Sequence, residues 1–99
     1  MERGLFDITA NTVTELIPIY GTRGNVRSVR LSNYSAADDI TIDLYLEDGS
    51  ANLSYIINDL VIPVATTLLL TEELSFDNSV LGMKIVTSGT TPLLSVIIK

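Results

Sequence analysis

From Ile40 to Glu47 apolar and polar positions alternate without an error. Ile40, Ile42, Leu44 and Leu46 share one parity, and Thr41, Asp43, Tyr45 and Glu47 share the other. Period two predicts a strand with one face in a core and one face wet. Helical spacing would scatter the same four apolar residues around the helix. A shorter version of the pattern runs from Val26 to Asn33, where Val29 and Leu31 oppose Ser28 and Arg30. Val13–Ile19 predicts an earlier strand, with Val13, Ile17 and Ile19 on one parity, Glu15 interrupting them, and Pro18 marking a sheet edge or bulge.

Further strands are expected at Leu53–Ile57, Leu60–Ile62, Thr66–Thr71, Leu81–Thr87 and Leu93–Ile98. Turn-forming residues punctuate them: Tyr20–Asn25, Asn33–Asp39, Asp48-Gly49, Asn58-Asp59, Pro63, Asp77-Asn78 and Ser88–Thr90. Ala65–Phe76 is ambiguous, because its Leu and Glu residues suit a helix while Thr66, Thr67 and Thr71 weigh against one. The fold class that follows is all-β: an antiparallel β-sandwich, jelly-roll-like, with about seven or eight short strands. Residues 1–11 read as an N-terminal arm or lead-in segment, and 12–99 as a single sandwich domain.

Composition strengthens the β reading. Thirty of the 99 residues are Val, Ile or Thr, and β-branched side chains suit pleated, half-buried surfaces. The apolar fraction is 46% and the mean hydropathy +0.39, high for so short a chain. Small domains expose much of their surface, so part of this apolar content is expected to be covered by another chain, which points to a homo-oligomer or larger assembly. The segment Met1–Asp7 lacks the basic and apolar regions of a signal peptide. The apolar runs, three residues at most as at Leu68–Leu70, are too short for a membrane-spanning helix.

Twelve carboxylates against six Lys and Arg give a net charge of −6, which opposes general nucleic-acid binding. The chain has no His and no Cys, so the usual general base and thiolate are missing, and its abundant Ser and Thr have no activating partner. An enzyme is not expected, and neither is a cofactor. Asp38, Asp39, Asp43, Glu47 and Asp48 could offer oxygen ligands to Ca²⁺. Their spacing fits no calcium loop, however, and the predicted strand separates the ends of the group, so they read as a solvated acidic face and no metal site is assigned. Glu72, Glu73 and Asp77 lie around a turn with no sign of a substrate cleft. Two sets remain as interface candidates. Arg23, Arg27 and Arg30 hold half of the positive charge and could pair with acidic neighbours, although Arg27 and Arg30 have opposite parity. Tyr20, Tyr34, Tyr45 and Tyr55 are of the residue type enriched in interface cores. Tyr45 lies on the polar parity of its strand, facing a partner or lying over its own sheet.

The order of motifs from Val13 to Ile98 resembles a family of small virion proteins of tailed bacteriophages. The pieces that carry the likeness are TVTELIPIYGTRG (12–24), NVRSVRLSNYSAAD (25–38), ITIDLYLEDGS (40–50) and LSYIINDLVIP (53–63). TTLLLTEELSF (66–76), SVLGMKIVTSG (79–89) and PLLSVIIK (92–99) resemble the closing strands. The chain departs from the pattern where Ile19-Tyr20-Gly21 follows Pro18 in place of a small residue and glycine. The resemblance implies a β-sandwich component of the virion, chiefly a capsid decoration or accessory subunit acting through protein–protein contacts. It leaves open a neck or tail adaptor, or a carbohydrate- or receptor-binding module of a tail or fibre using Tyr34, Tyr45 or Tyr55 for stacking. The implied partners are copies of itself, with a trimer as the working number, and other virion proteins such as the major capsid protein. The family offers no catalytic residue to carry over.

Overall fold

In a computed structural model the described residues are 4–20, 25–50, 52–71, 74–90 and 92–99. They form β1 (Gly4–Ile8), β2 (Val13–Ile17), β3 (Asn25–Val26), β4 (Val29–Asn33) and β5 (Ile40–Asp48), then β6 (Leu53–Ile62), β7 (Thr66–Leu70), β8 (Leu74–Ser75), β9 (Leu81–Ser88) and β10 (Leu94–Ile98). Sheet I has the order β1-β10-β4-β7, sheet II the order β2-β9-β5-β6, and β3 pairs with β8 in a small ribbon. Every pairing is antiparallel. Setting the ribbon aside, the eight remaining strands numbered in chain order run 1-8-3-6 and 2-7-4-5. Only the β5–β6 connection stays within one sheet; every other one crosses. This wrapped order is the jelly roll, the double-sheet fold anticipated from the strand pattern.

The alternation in β5 explains the core. Ile40, Ile42 and Leu44 point inward and are fully buried, as are Met83 and Ile85 beside them on β9. Val29, Leu31, Leu94, Val96 and Ile98 close over them from sheet I in the same apolar cluster. Two irregularities displace the sequence reading. β2 carries a bulge between Glu15 and Ile17. An extra residue on one strand shifts parity, so Leu16 and Ile17 are both buried while Val13 is exposed. Leu53–Ile62 is one ten-residue strand, not two. Asp59 takes a left-handed φ of 53° and its amide donates to Asp43 Oδ1 at 2.6 Å, so Asn58-Asp59 forms a bulge instead of a turn.

Three further differences concern boundaries. Gly4–Ile8, expected within an arm, is an edge strand paired along its length with β10, placing Phe6 and Ile8 against the core. Val26–Asn33 is interrupted at Arg27-Ser28, whose amides both donate to the Lys99 carbonyl. The described residues of the ambiguous stretch form β7 and β8, with no helix among them.

Buried polar groups fasten the crossings. The Asn33 side chain, 1% exposed, donates from Nδ2 to the carbonyls of Ile62 (2.9 Å), Asp38 (3.0 Å) and Pro63 (3.2 Å), and its Oδ1 accepts the Ser35 amide at 3.0 Å. It ties β4 of sheet I to the end of β6 in sheet II. Asn78 Nδ2 similarly donates to the Pro18 and Leu81 carbonyls, and the Thr87 hydroxyl donates to the Ala10 carbonyl.

Gly82 sits where β9 passes the end of β2. A Cβ there would meet the Ile17 carbonyl oxygen and the Ile19 nitrogen at 2.9 Å each. Both are backbone atoms, which cannot rotate away. Gly82→Ala is therefore expected to cost about 2 kcal/mol, a fall of roughly 10 °C in the thermal midpoint by calorimetry.

Candidate functional site

With the jelly roll in place, the residues that do not face the core form two outward surfaces. On sheet I the pairings align Leu5, Ile97, Arg30 and Leu69 in one row across all four strands. Leu5 is 63% and Leu69 51% exposed, and Ile97 is half-buried between its neighbours. A second row is polar: Asp7, Ser95, Ser32 and Thr67. Tyr34 crosses β10 to donate its hydroxyl to Asp7 Oδ1, and this bond to a carboxylate raises the phenol pKa. Arg30 is exposed and makes no ion pair among the described residues. Arg27 and Lys99 flank the same end of the sheet, joined through their backbones.

On sheet II the central row is Glu15, Lys84, Tyr45 and Tyr55. Glu47, two residues along β5 from Tyr45, forms an ion pair with Lys84. Tyr45 points outward yet is only 7% exposed, because Tyr55 packs edge-on against it with ring centroids 5.6 Å apart. Tyr55, Leu53 and Val61 stay exposed along β6, and Val13 along β2. Among the described residues, Glu15, Asp43 and Glu47 thus share this face with a single cation, Lys84.

A cleft of about 330 Å³ opens at one end of sheet II, lined by Glu15, Ile19, Tyr20, Glu47, Asp48, Gly49 and Lys84. Tyr20, 76% exposed, has a φ of 68°, and its backbone N–H donates to the Asn78 carbonyl at 2.9 Å. Its hydroxyl approaches Gly49 so closely that a Cβ there would lie 2.9 Å away.

The sequence candidates therefore separate. Arg30 and Tyr34 belong to the sheet I face with Arg27 at its end, Tyr45 and Tyr55 to the sheet II face, and Tyr20 to the cleft; Arg23 lies outside the described residues. The acidic group is dispersed into local roles. Asp39 accepts the Val64 amide, Asp43 caps the β6 bulge, Glu47 pairs with Lys84, and Asp48 accepts from Ser50 and Asn52. Among the described residues no three acidic side chains converge as a metal site would require. Sequence reasoning missed Leu5, Leu69, Ile97, Glu15 and Lys84, since only strand register reveals them as neighbours.

Burial, then Glu47, raises the Tyr45 pKa, and the hydrogen bond to Glu47 raises that of Lys84. Each folded-state value lies above its unfolded one, so their stabilisation is complete below the unfolded values, about 10 for Tyr and 10.4 for Lys, and is lost as pH rises through the folded ones. Thermal midpoints are expected to fall above about pH 10, with a shallower fall in Glu47→Gln. Asp48 and Asp77, whose pKa values are lowered by hydrogen bonds from Asn52 and Ser79 respectively, give the opposite slope at the acid end. Equal alkaline slopes for the two proteins would contradict the pairing.

No family model matches the chain, and no curated protein does. Among solved structures, the chain is similar over its full length to 29% of a chain in a structure of infectious bursal disease virus, Gt strain, with 10% identity and a TM-score of 0.48. A structure of the Gx strain gives 11% identity and a TM-score of 0.43, with 99% of this chain and 32% of that one covered. The Anabaena sensory rhodopsin transducer is similar over 100% of this chain and 95% of its own, with 12% identity and a TM-score of 0.44. The chain spans less than a third of the viral chains it matches. Similarities at this level carry no functional argument.

Proposed function

We propose that the chain is a non-enzymatic structural subunit of a tailed-phage particle, decorating or reinforcing the capsid through protein–protein contacts. The observation that carries this reading is the lining of the jelly roll's two outer faces. Leu5, Ile97 and Leu69 align in register on one, and Tyr55, Leu53 and Val61 lie on the other, beyond what the core requires. Exposed apolar surface of this kind marks a docking site. The motif order from Val13 to Ile98 supports the phage assignment. Localisation in the virion and contact with the major capsid protein belong to the same proposal.

The cleft beside Tyr20 favours a second reading, a saccharide-binding module of a tail or fibre, with Tyr20 as the stacking ring and Glu47, Asp48 and Lys84 as hydrogen-bonding groups. Quantitative mass spectrometry of purified particles from the encoding phage tests the first reading. It is expected to find the chain in many copies at a fixed ratio to the major capsid protein. Absence from the particle sinks it, and a few copies together with glycan binding abolished by Tyr20→Ala favour the second.

A further inference from the structure

The two outer faces differ in charge. The sheet I face carries Arg30 at the centre of an apolar row, with Arg27 and Lys99 at its end, against one carboxylate among the described residues, Asp7, which keeps its charge while accepting the Tyr34 hydroxyl. The sheet II face carries Glu15, Asp43 and Glu47, and its one cation among the described residues, Lys84, is already paired to Glu47. Each face would meet a copy of itself carrying a net charge of the same sign, which disfavours a two-fold dimer through either surface. Each face attracts the other. The apolar residues match as well, with Leu5, Ile97 and Leu69 available to cover Tyr55, Leu53, Val61 and Val13.

We infer that copies of this chain associate head to tail, the sheet I face of one against the sheet II face of the next. Such an interface is heterologous, so it builds a closed ring of three or more or an open filament, not a symmetric dimer. Sheets stack face to face about 10 Å apart, so the arrangement continues the layering inside each molecule. The molecule measures 39 × 28 × 19 Å, and a sheet face of this size can supply the ~800 Å² per partner of a stable interface. The inference rests on the reading of the chain as an assembly subunit and names the contact such a subunit would use with itself.

Charge reversal on exposed positions tests it. Light scattering and native mass spectrometry of the purified wild-type chain at about 100 µM and low salt are expected to show a ring or filament that weakens as salt is added. Arg30→Glu and Glu15→Arg are each expected to weaken association at least about tenfold, roughly the effect of losing a charge pair. The Arg30→Glu/Glu15→Arg double variant is expected to regain it, because opposite charges again face each other at every junction. Unchanged thermal midpoints keep folding out of the comparison, and the regain excludes misfolding as the cause of the loss. A wild-type monomer, a symmetric dimer, or single variants that assemble like wild type would each overturn the inference. None of these touches the virion reading, which is decided separately by whether particles contain the chain.

Discussion

Replacing Asn33 with leucine is expected to lower the unfolding free energy by about 3 kcal/mol, a fall of roughly 15 °C in the thermal midpoint. The side chain lies in the core and donates to three carbonyls on two different connections while accepting the Ser35 amide. Leucine fills the space but takes this partner from the buried Ile62 carbonyl and Ser35 amide, and an unsatisfied buried group bears its full desolvation penalty. Asn33→Asp sharpens the test. An ionised carboxylate can only accept, so it would confront the carbonyl oxygens of Ile62, Asp38 and Pro63 with a negative charge. That variant is expected to be at least as unstable at pH 7 and to recover part of the loss as the acid is protonated at low pH. Urea unfolding measures both, and a loss below about 0.5 kcal/mol for Asn33→Leu would show that the bracket does not hold the sheets together.

The second large effect separates the inner face from the outer ones. Leu44 is fully buried on β5, between Ile57 of β6 and Ile85 of β9. Leu44→Ala is expected to cost about 3–4 kcal/mol, the lost transfer energy plus the cavity left behind. Leu5→Ser and Leu69→Ser, on the outer row of sheet I, are expected to change stability by no more than about 0.5 kcal/mol. The same chemical type thus has opposite weight on the two sides of one sandwich. If the outer variants unfold as readily as Leu44→Ala, those leucines serve the fold and are not available to a partner.

How far the fold was legible depended on local regularity. β5 was readable because its alternation is unbroken and its inward parity is wholly apolar. β1 was not, because five residues with only Phe6 and Ile8 turned inward give too short a signal, and β1 exists only through its pairing with β10 at the far end of the chain. Asn58-Asp59 carries turn-forming residues, yet Asp43 across the ladder turns that chemistry into a bulge. The bulge in β2 likewise reversed the expected exposure of Val13 and left Leu16 and Ile17 both inside. For the outer faces, the parity of Arg30 was visible in the sequence. Its row-mates Leu5, Ile97 and Leu69 were not, since they are brought beside it from positions far apart in the chain. Tyr45 left two readings open, and its ring packs edge-on against Tyr55 of the neighbouring strand.

Cryo-electron microscopy of intact particles tests the central claim most directly, because it shows both whether the chain is present and which surfaces it uses. The account predicts density that fits this eight-stranded jelly roll at regular positions on the particle, with the outer faces of sheets I and II covered by neighbouring protein. Particles without such density, or density in which both outer faces point into solvent, would contradict it.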